Sequence, residues 1–314
     1  MGKTAFIFPG QGSQYSGMGK ETHDAFSCAR AAFDEATDAL GISLHDLCFR
    51  GSEDDLKLTR NTQPAILTVS IAVLRVIESR NLRPDYVAGH SLGEYSALVC
   101  AGAITLTEAV RLVRKRGQYM QEAVPPGQGA MAAILGLDAK LVCEACFEAG
   151  SAGVVSPANF NAPDQTVIAG DQGAVKLASD KAREKGAKRA MPLAVSAPFH
   201  CELMSPARDR LSADLQRVNF HDLRMPLVTN VDAEQIRNGD EAKAALIRQV
   251  CAPVRWVESI QLLLRCGVDT FIEVGPGRVL TGLVRKIAPQ VQTHNVDGIR
   301  GIEALASVLT GGTM

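Results

Sequence analysis

Apolar residues fall in two rhythms along this chain. Residues 4–8 form a short apolar run that breaks at Pro9-Gly10-Gln11-Gly12, and helical spacing follows over residues 25–40 and 64–79. Residues 86–90 form a second apolar run that passes directly into Ser91-Leu92-Gly93-Glu94, and residues 107–123 carry an amphipathic stripe. Strand, turn and helix in that order predict a parallel sheet with crossover helices for the first third. After Pro125-Pro126-Gly127 the rhythm changes. A strand at 130–135, a helix, strands at 153–156 and 165–170, a helix at 174–185 and a strand at 190–195 give the order βαββαβ, the ferredoxin-like pattern. The remainder predicts a helix after Pro206, strands at 226–230 and 270–274, and a helix after Gly275-Pro276-Gly277, with no internal repeat or low-complexity linker.

Composition excludes several classes. With 314 residues, 46% hydrophobic and 21% charged, the chain can bury a core without disulfides or metal. A formal net charge of −1 argues against disorder and against broad nucleic-acid binding, so a partner must be read from local sites. The first residues lack the long apolar region of a secretory leader, and Phe6 stands where a myristoylation signal needs Ser or Thr. No apolar run approaches a membrane span, so a cytoplasmic location is expected. Eight cysteines are scattered without a framework, and the one close pair, Cys143 and Cys146, sits in a helical stretch. They read as reduced structural thiols, with no metal.

Gly89-His90-Ser91-Leu92-Gly93 matches G-x-S-x-G between a strand and a helical run, the context of a nucleophile elbow. That elbow makes the expected fold α/β-hydrolase-like: a large domain with a parallel sheet from residues 1–125 and 195–314, and a small inserted ferredoxin-like subdomain at 126–194. The alternative reading of Ser91 is a helix N-cap. A serine hydroxyl needs a base. His90 neighbours it, but adjacent strand residues point to opposite faces, so His90 reads as structural. His200, in Ser196-Ala197-Pro198-Phe199-His200 where the chain re-enters the large domain, is the better candidate. Asp138, Asp164, Asp171 and Asp180 lie between the two, none in a distinctive setting, which weakens an ordinary esterase reading. A carbonyl can orient an imidazole in place of an acid.

Two further segments carry chemistry. Pro9-Gly10-Gln11-Gly12-Ser13-Gln14 fails as a dinucleotide loop, because the third glycine would fall on Tyr15. It suits instead a backbone amide, that of Gln11, set opposite the nucleophile. Arg114-Lys115-Arg116 lies on the helix after the elbow and reads either as a solvated charge run or as a carboxylate clamp, with Arg116 and Lys115 about 100° apart on the helix.

Together these segments resemble the malonyl-CoA:acyl-carrier-protein transacylases of bacterial fatty-acid synthesis. The resemblance rests on residues 8–14, Thr62-Gln63-Pro64-Ala65, residues 89–97, Arg116-Gly117, Ser156-Pro157-Ala158-Asn159-Phe160-Asn161, Pro198-Phe199-His200 and Glu273-Val274-Gly275-Pro276-Gly277, in family order along essentially the whole chain. It implies a malonyl transfer through Ser91 with His200 as base, the amides of Gln11 and Leu92 as oxyanion hole, and Arg116 on the malonate carboxylate. It further implies that Gln249 orients the histidine through its main-chain carbonyl, that Gln63 and Asn161 stand near the acyl site, and that Phe199 narrows the site against branched acyl chains. No cofactor is implied, coenzyme A thioester being a substrate; the partner is an acyl carrier protein, acidic in this family, and the protein is taken as a monomer. Lys181, Arg183, Lys185, Lys188 and Arg189 form a local basic cluster that reads as its docking surface or as a solvated helix face. The rival readings are a thioesterase or esterase on the same elbow and a catalytically silent carrier-binding module.

Overall fold

The computed structural model of the chain describes residues 2–195 and 197–310, so Ser196 of the histidine-bearing segment lies outside the described residues. Among the described residues there are ten strands: β1 (Lys3–Phe8), β2 (Tyr86–Gly89), β3 (Gly129–Leu135), β4 (Val155–Ala162), β5 (Gln165–Asp171), β6 (Arg189–Pro192), β7 (Leu227–Val228), β8 (Gln235–Ile236), β9 (Val268–Val274) and β10 (Gln292–Val296). They build two sheets.

The larger sheet has the order β10-β9-β1-β2-β7-β8, parallel throughout except for the terminal β7–β8 pair. The central strand β1 shows why its apolar run is unbroken. Phe6 and Phe8 face one buried cluster while Ala5 and Ile7 face another, so both sides of the strand are covered.

The smaller sheet, β4-β5-β3-β6, is wholly antiparallel. Helices Ala139–Ala149 and Gln172–Glu184 cover one face, where Ala132, Ile134 and Ile168 meet Val142, Ala145, Val175 and Ala178. The opposite face, through Met131, Val167 and Ala169, joins the main core. Main-chain bonds from Val254 N–H to Ala158 O (2.8 Å) and from Phe160 N–H to Val254 O (2.9 Å) tie the edge strand β4 to the larger body.

Two helical expectations need correction. The pattern at 25–40 is interrupted, because Phe26 is extended (φ −126°, ψ 124°) between helices Lys20–Ala25 and Ser27–Leu40. The helix expected to begin at Pro64 runs instead from Thr59 to Ser79, with Pro64 inside it. A proline in that position leaves the carbonyl four residues earlier without its helical donor. Here the Arg114 guanidinium supplies one, its Nη1 donating to Arg60 O at 2.7 Å. Helices Gly239–Gln249, Trp256–Arg265 and Ile299–Thr310, and strand β10, extend beyond the elements expected from periodicity. All eight cysteines are free thiols. Among the described residues no helix is long and apolar enough to cross a membrane.

Candidate active site

The two central parallel strands β1 and β2 end side by side, and the turns that follow them press together. A Cβ on Gly93 would lie 2.0 Å from Phe8 O, one on Gly89 2.0 Å from the Gly93 main chain, and one on Gly10 2.5 Å from His90 O. Glycine is therefore a steric requirement at these three positions. Ser91 sits at the apex with φ 52°, a left-handed conformation costly for a side-chain-bearing residue and sustained only where its surroundings hold it. Those surroundings are visible: His90 N–H donates to Phe8 O (3.0 Å), Gly93 N–H to His90 O (2.9 Å), and Ser91 N–H to Asn230 Oδ1 (2.6 Å). The same Asn230 amide donates from Nδ2 to Gly89 O at 2.6 Å, bracketing the turn.

His200 is the second non-glycine residue of the cavity lining with positive φ (61°), and it is 3% exposed. Its Nε2 lies 2.7 Å from Ser91 Oγ and its Nδ1 2.8 Å from the main-chain oxygen of Gln249, at the end of helix Gly239–Gln249. A carbonyl can only accept, so Nδ1 carries the proton and the lone pair of Nε2 faces the serine. Among the described residues no carboxylate hydrogen-bonds His200. Burial, and next the charge of Arg116, hold the imidazole's pKa down at about 3, so it is neutral over the working range.

The ambiguous basic run divides cleanly. Lys115 is exposed and paired with Asp214 at 2.6 Å, whereas Arg116 is only 2% exposed. Gly117 permits this, because a Cβ there would meet Thr59 O at 2.5 Å; its absence lets helix Leu106–Glu122 press against the start of helix Thr59–Ser79. Arg116 Nη1 then reaches Gln63 Oε1 (2.8 Å), and Nη2 reaches Gln249 Oε1 (2.9 Å) and Ser91 Oγ (3.1 Å). Its Nε has no partner among the described residues, and no carboxylate there forms an ion pair with it. Burial draws the guanidinium's pKa below its ordinary value. A buried cation without a counter-ion is a place for an anion.

Ser91, His200, Arg116 and Gln63 line a cavity of about 100 Å³ together with His90, Gln11, Leu92 and Phe199, with Met120, Leu193 and Val195 as apolar walls and Met131 and Asn159 contributed by the smaller sheet. The main-chain N–H groups of Gln11 and Leu92 have no hydrogen-bond partner among the described residues, whereas that of Ser91 is taken by Asn230. Asn161 is not in the lining. Its Oδ1 lies 2.7 Å from His90 Nε2, and His90 packs edge-on against Trp256. The neighbour that reaches the cavity is Asn159.

Three residues receive no role from sequence reasoning, although two of them, Asn159 and Glu94, stand inside segments that carry the resemblance. Asn159 is one, Asn230 another. The third is Glu94, 1% exposed, whose Oε2 accepts from Gln249 Nε2 (2.7 Å) and from Asn230 N–H (3.1 Å). Burial pushes its pKa up to about 7 against the lowering effect of these two bonds. The only local signal was its place three residues after Ser91, on the first turn of helix Gly93–Ala101.

A serine hydroxyl bonded to a neutral, carbonyl-oriented histidine, beside free amides and an unpaired buried guanidinium, can accept an acyl group that carries a carboxylate. Comparison with known proteins agrees in kind. The acyl transferase domain family matches residues 5–302. The malonyl CoA-acyl carrier protein transacylase of Bacillus subtilis is 49% identical over 312 residues, covering 98% of this chain and 98% of that protein. The crystal structure of an acyl carrier protein S-malonyltransferase from Vibrio cholerae superposes with a TM-score of 0.94 at 45% identity, covering 96% of this chain and 99% of that one. A malonyl-transacylase solved in complex with its type II PKS acyl-carrier protein has a TM-score of 0.95 at 45% identity, covering 99% of this chain and 100% of that one.

Proposed function

The chain belongs to the acyl transferase family, and from that premise we propose that it moves the malonyl group of malonyl-CoA to the phosphopantetheine thiol of an acyl carrier protein through a malonyl-Ser91 intermediate, supplying malonyl carrier for fatty-acid elongation. The observation that carries this reading is the Ser91 hydroxyl shared between His200 Nε2 and a buried guanidinium that has no carboxylate partner among the described residues.

His200 takes the serine proton as Ser91 Oγ attacks the thioester carbonyl, and the tetrahedral oxyanion forms against the N–H groups of Gln11 and Leu92. The imidazolium, steadied by the Gln249 carbonyl, returns its proton to the departing coenzyme A sulfur. The carrier thiol then enters and the same steps run in reverse. Arg116 holds the malonate carboxylate through Nε and Nη2, with Gln63 and Gln249 fixing its far side. Phe199 limits branching on the acyl chain. Asn161 acts at one remove, by holding His90, which itself lines the cavity.

The finer architecture follows the same reading: a hydrolase-like large domain from 1–125 and 195–314, and a ferredoxin-like insert at 126–194, the latter supported by the order βαββαβ and the strand order β4-β5-β3-β6. The insert presents the carrier docking face at Lys181, Arg183, Lys185, Lys188 and Arg189. Glu184, Asp180 and Glu148 already pair with the first three, so Lys188 and Arg189, exposed and without an ion pair among the described residues, carry the charge left for an acidic carrier. The enzyme works in the cytoplasm.

Intact-mass spectrometry after brief exposure to malonyl-, acetyl- and methylmalonyl-CoA tests the proposal. A malonyl adduct that is absent in Ser91→Ala is expected. A folded protein that takes no acyl group from any thioester would overturn it.

A further inference from the structure

Arg116 is buried, charged and held on its far side by two side-chain amides. One of those amides, Gln249, is itself held by something no comparison assigns. Its Oε1 accepts from Arg116 Nη2 at 2.9 Å, while its Nε2 donates to Glu94 Oε2 at 2.7 Å and to Ser91 O at 3.0 Å. Glu94 Oε2 is fixed in turn by Asn230 N–H at 3.1 Å, and Asn230 brackets the elbow. Gln249 and Asn230 are 0% exposed and Glu94 1%, so water cannot substitute for any of these bonds.

From this geometry we propose that Glu94 is a positioning residue for acyl selection: its carboxylate pins the donor end of the Gln249 amide, and so keeps the acceptor end, and with it the Arg116 guanidinium, in register with Ser91. The inference rests on the acyl-transfer reading above. The physical case is one of reach. A glutamine side chain has three rotatable bonds, and of the three acceptors around Gln249 Nε2 the Glu94 carboxylate is the nearest at 2.7 Å, ahead of Ser91 O at 3.0 Å and Asn230 Oδ1 at 3.4 Å. Glu94 is the charge-bearing acceptor and makes the shortest of these bonds, so it contributes most to making Gln249 a fixed post. It lies behind the amide, so it leaves Arg116 Nε and the cavity-facing part of the guanidinium open, which a direct carboxylate–arginine pair would close. A carboxylate in direct contact with Arg116 would compete with the substrate; one placed behind an intervening amide does not.

The main-chain role of Gln249 toward His200 does not pass through this amide, which separates two effects. Loss of Glu94 as a packing element would slow acylation by every thioester alike. Loss of Glu94 as the anchor of Arg116 would affect malonyl transfer, which needs the guanidinium, far more than acetyl transfer, which does not. The measurement is the ratio of kcat/KM for Ser91 acylation by malonyl-CoA to that by acetyl-CoA, in wild type, Glu94→Ala and Glu94→Gln. At pH 8.5, above the Glu94 pKa of about 7, the ratio in Glu94→Ala is expected to fall about tenfold relative to wild type, the worth of one hydrogen bond to a charged group. Glu94→Gln, whose Oε1 can accept from the same two donors, is expected to keep the ratio within about threefold of wild type. An unchanged ratio in Glu94→Ala, with both rates lowered together, overturns the proposal, as does a Glu94→Gln ratio as low as that of the alanine variant. If the alanine variant does not fold, Glu94→Asp, one methylene too short to reach Gln249 Nε2, carries the same expectation and the same refutation. Absence of any malonyl adduct on wild-type Ser91 in the same experiment sinks the acyl-transfer reading itself, whereas a wild-type adduct with an unaltered ratio in the variants sinks only the role of Glu94.

Discussion

His200 gives the fold an acid-labile component of stability that follows directly from its burial. The imidazole is 3% exposed, with a pKa held down at about 3 by burial first and Arg116 second, whereas in the unfolded chain it titrates near about 6.5. Below pH about 6.5 the unfolded state therefore binds a proton that the native state does not. The stabilisation is complete above that pH and is lost progressively as pH falls towards 3. At pH 4.5 the loss amounts to two pH steps of about 1.36 kcal/mol each, or about 3 kcal/mol. His200→Gln has no imidazole to titrate, so between pH 7 and pH 4.5 the wild type should lose about 3 kcal/mol more than the variant in urea unfolding followed by circular dichroism. His90, whose pKa burial also lowers, is present in both proteins and cancels in the difference. Equal losses in the two proteins would refute the argument, because they would mean that the histidine titrates in the native site as it does in water. Activity gives a second reading of the same quantity. The profile of kcat/KM against pH for acetyl-CoA, whose transfer does not need Arg116, should show no acid limb near 6.5, since the free enzyme already holds its base neutral there.

Three further outcomes follow from the site. Arg116→Ala should lower kcat/KM for malonyl-CoA by at least about a hundredfold, the cost of a buried carboxylate without its cation, while acetyl-CoA acylation changes severalfold or less; steady-state kinetics with both thioesters decides it. Gly93→Ala places a methyl 2.0 Å from Phe8 O, a main-chain atom that cannot move aside cheaply, so it should cost about 1–3 kcal/mol in denaturant melts and shift Ser91 enough to remove most activity. Reversing Lys188 and Arg189 to Glu should raise the KM for an acidic carrier protein severalfold, with a steeper effect at low salt, and leave Ser91 malonylation from malonyl-CoA unchanged in the intact-mass assay.

What the sequence made legible and what it concealed divide along a physical line. The elbow is readable because its requirements are local: Gly89 and Gly93 stand where a Cβ would strike main chain, and the spacing G-x-S-x-G records those collisions directly. Helical geometry separated Arg116 from Lys115 by about 100°, but it could not say which of them faced inward. That was decided by Gly117 meeting Thr59 on a helix more than fifty positions away, a contact no periodicity carries. The start of that same helix was misread because Pro64 looks like a helix beginning until Arg114 is seen donating to the carbonyl the proline leaves free. Gln249 sits in an unremarkable stretch, and only the resemblance pointed to it. Of the residues given no role, Asn230 and Glu94 bond across the fold to the elbow and to Gln249; Asn230 is an ordinary polar residue in its own neighbourhood, and Glu94, though inside the elbow motif, shows no sign there of its distant partner. Local strain leaves a mark in local sequence, whereas the polar groups that hold a strained turn in place are chosen for where the fold brings them. Ser91 and His200, two of the four non-glycine residues with positive φ among the described residues, are the catalytic positions where such holding is needed, and the groups that supply it, Asn230 and Gln249, come from the last third of the chain. For that reason a search for positioning residues in this enzyme should start from the partners of its strained residues rather than from its motifs.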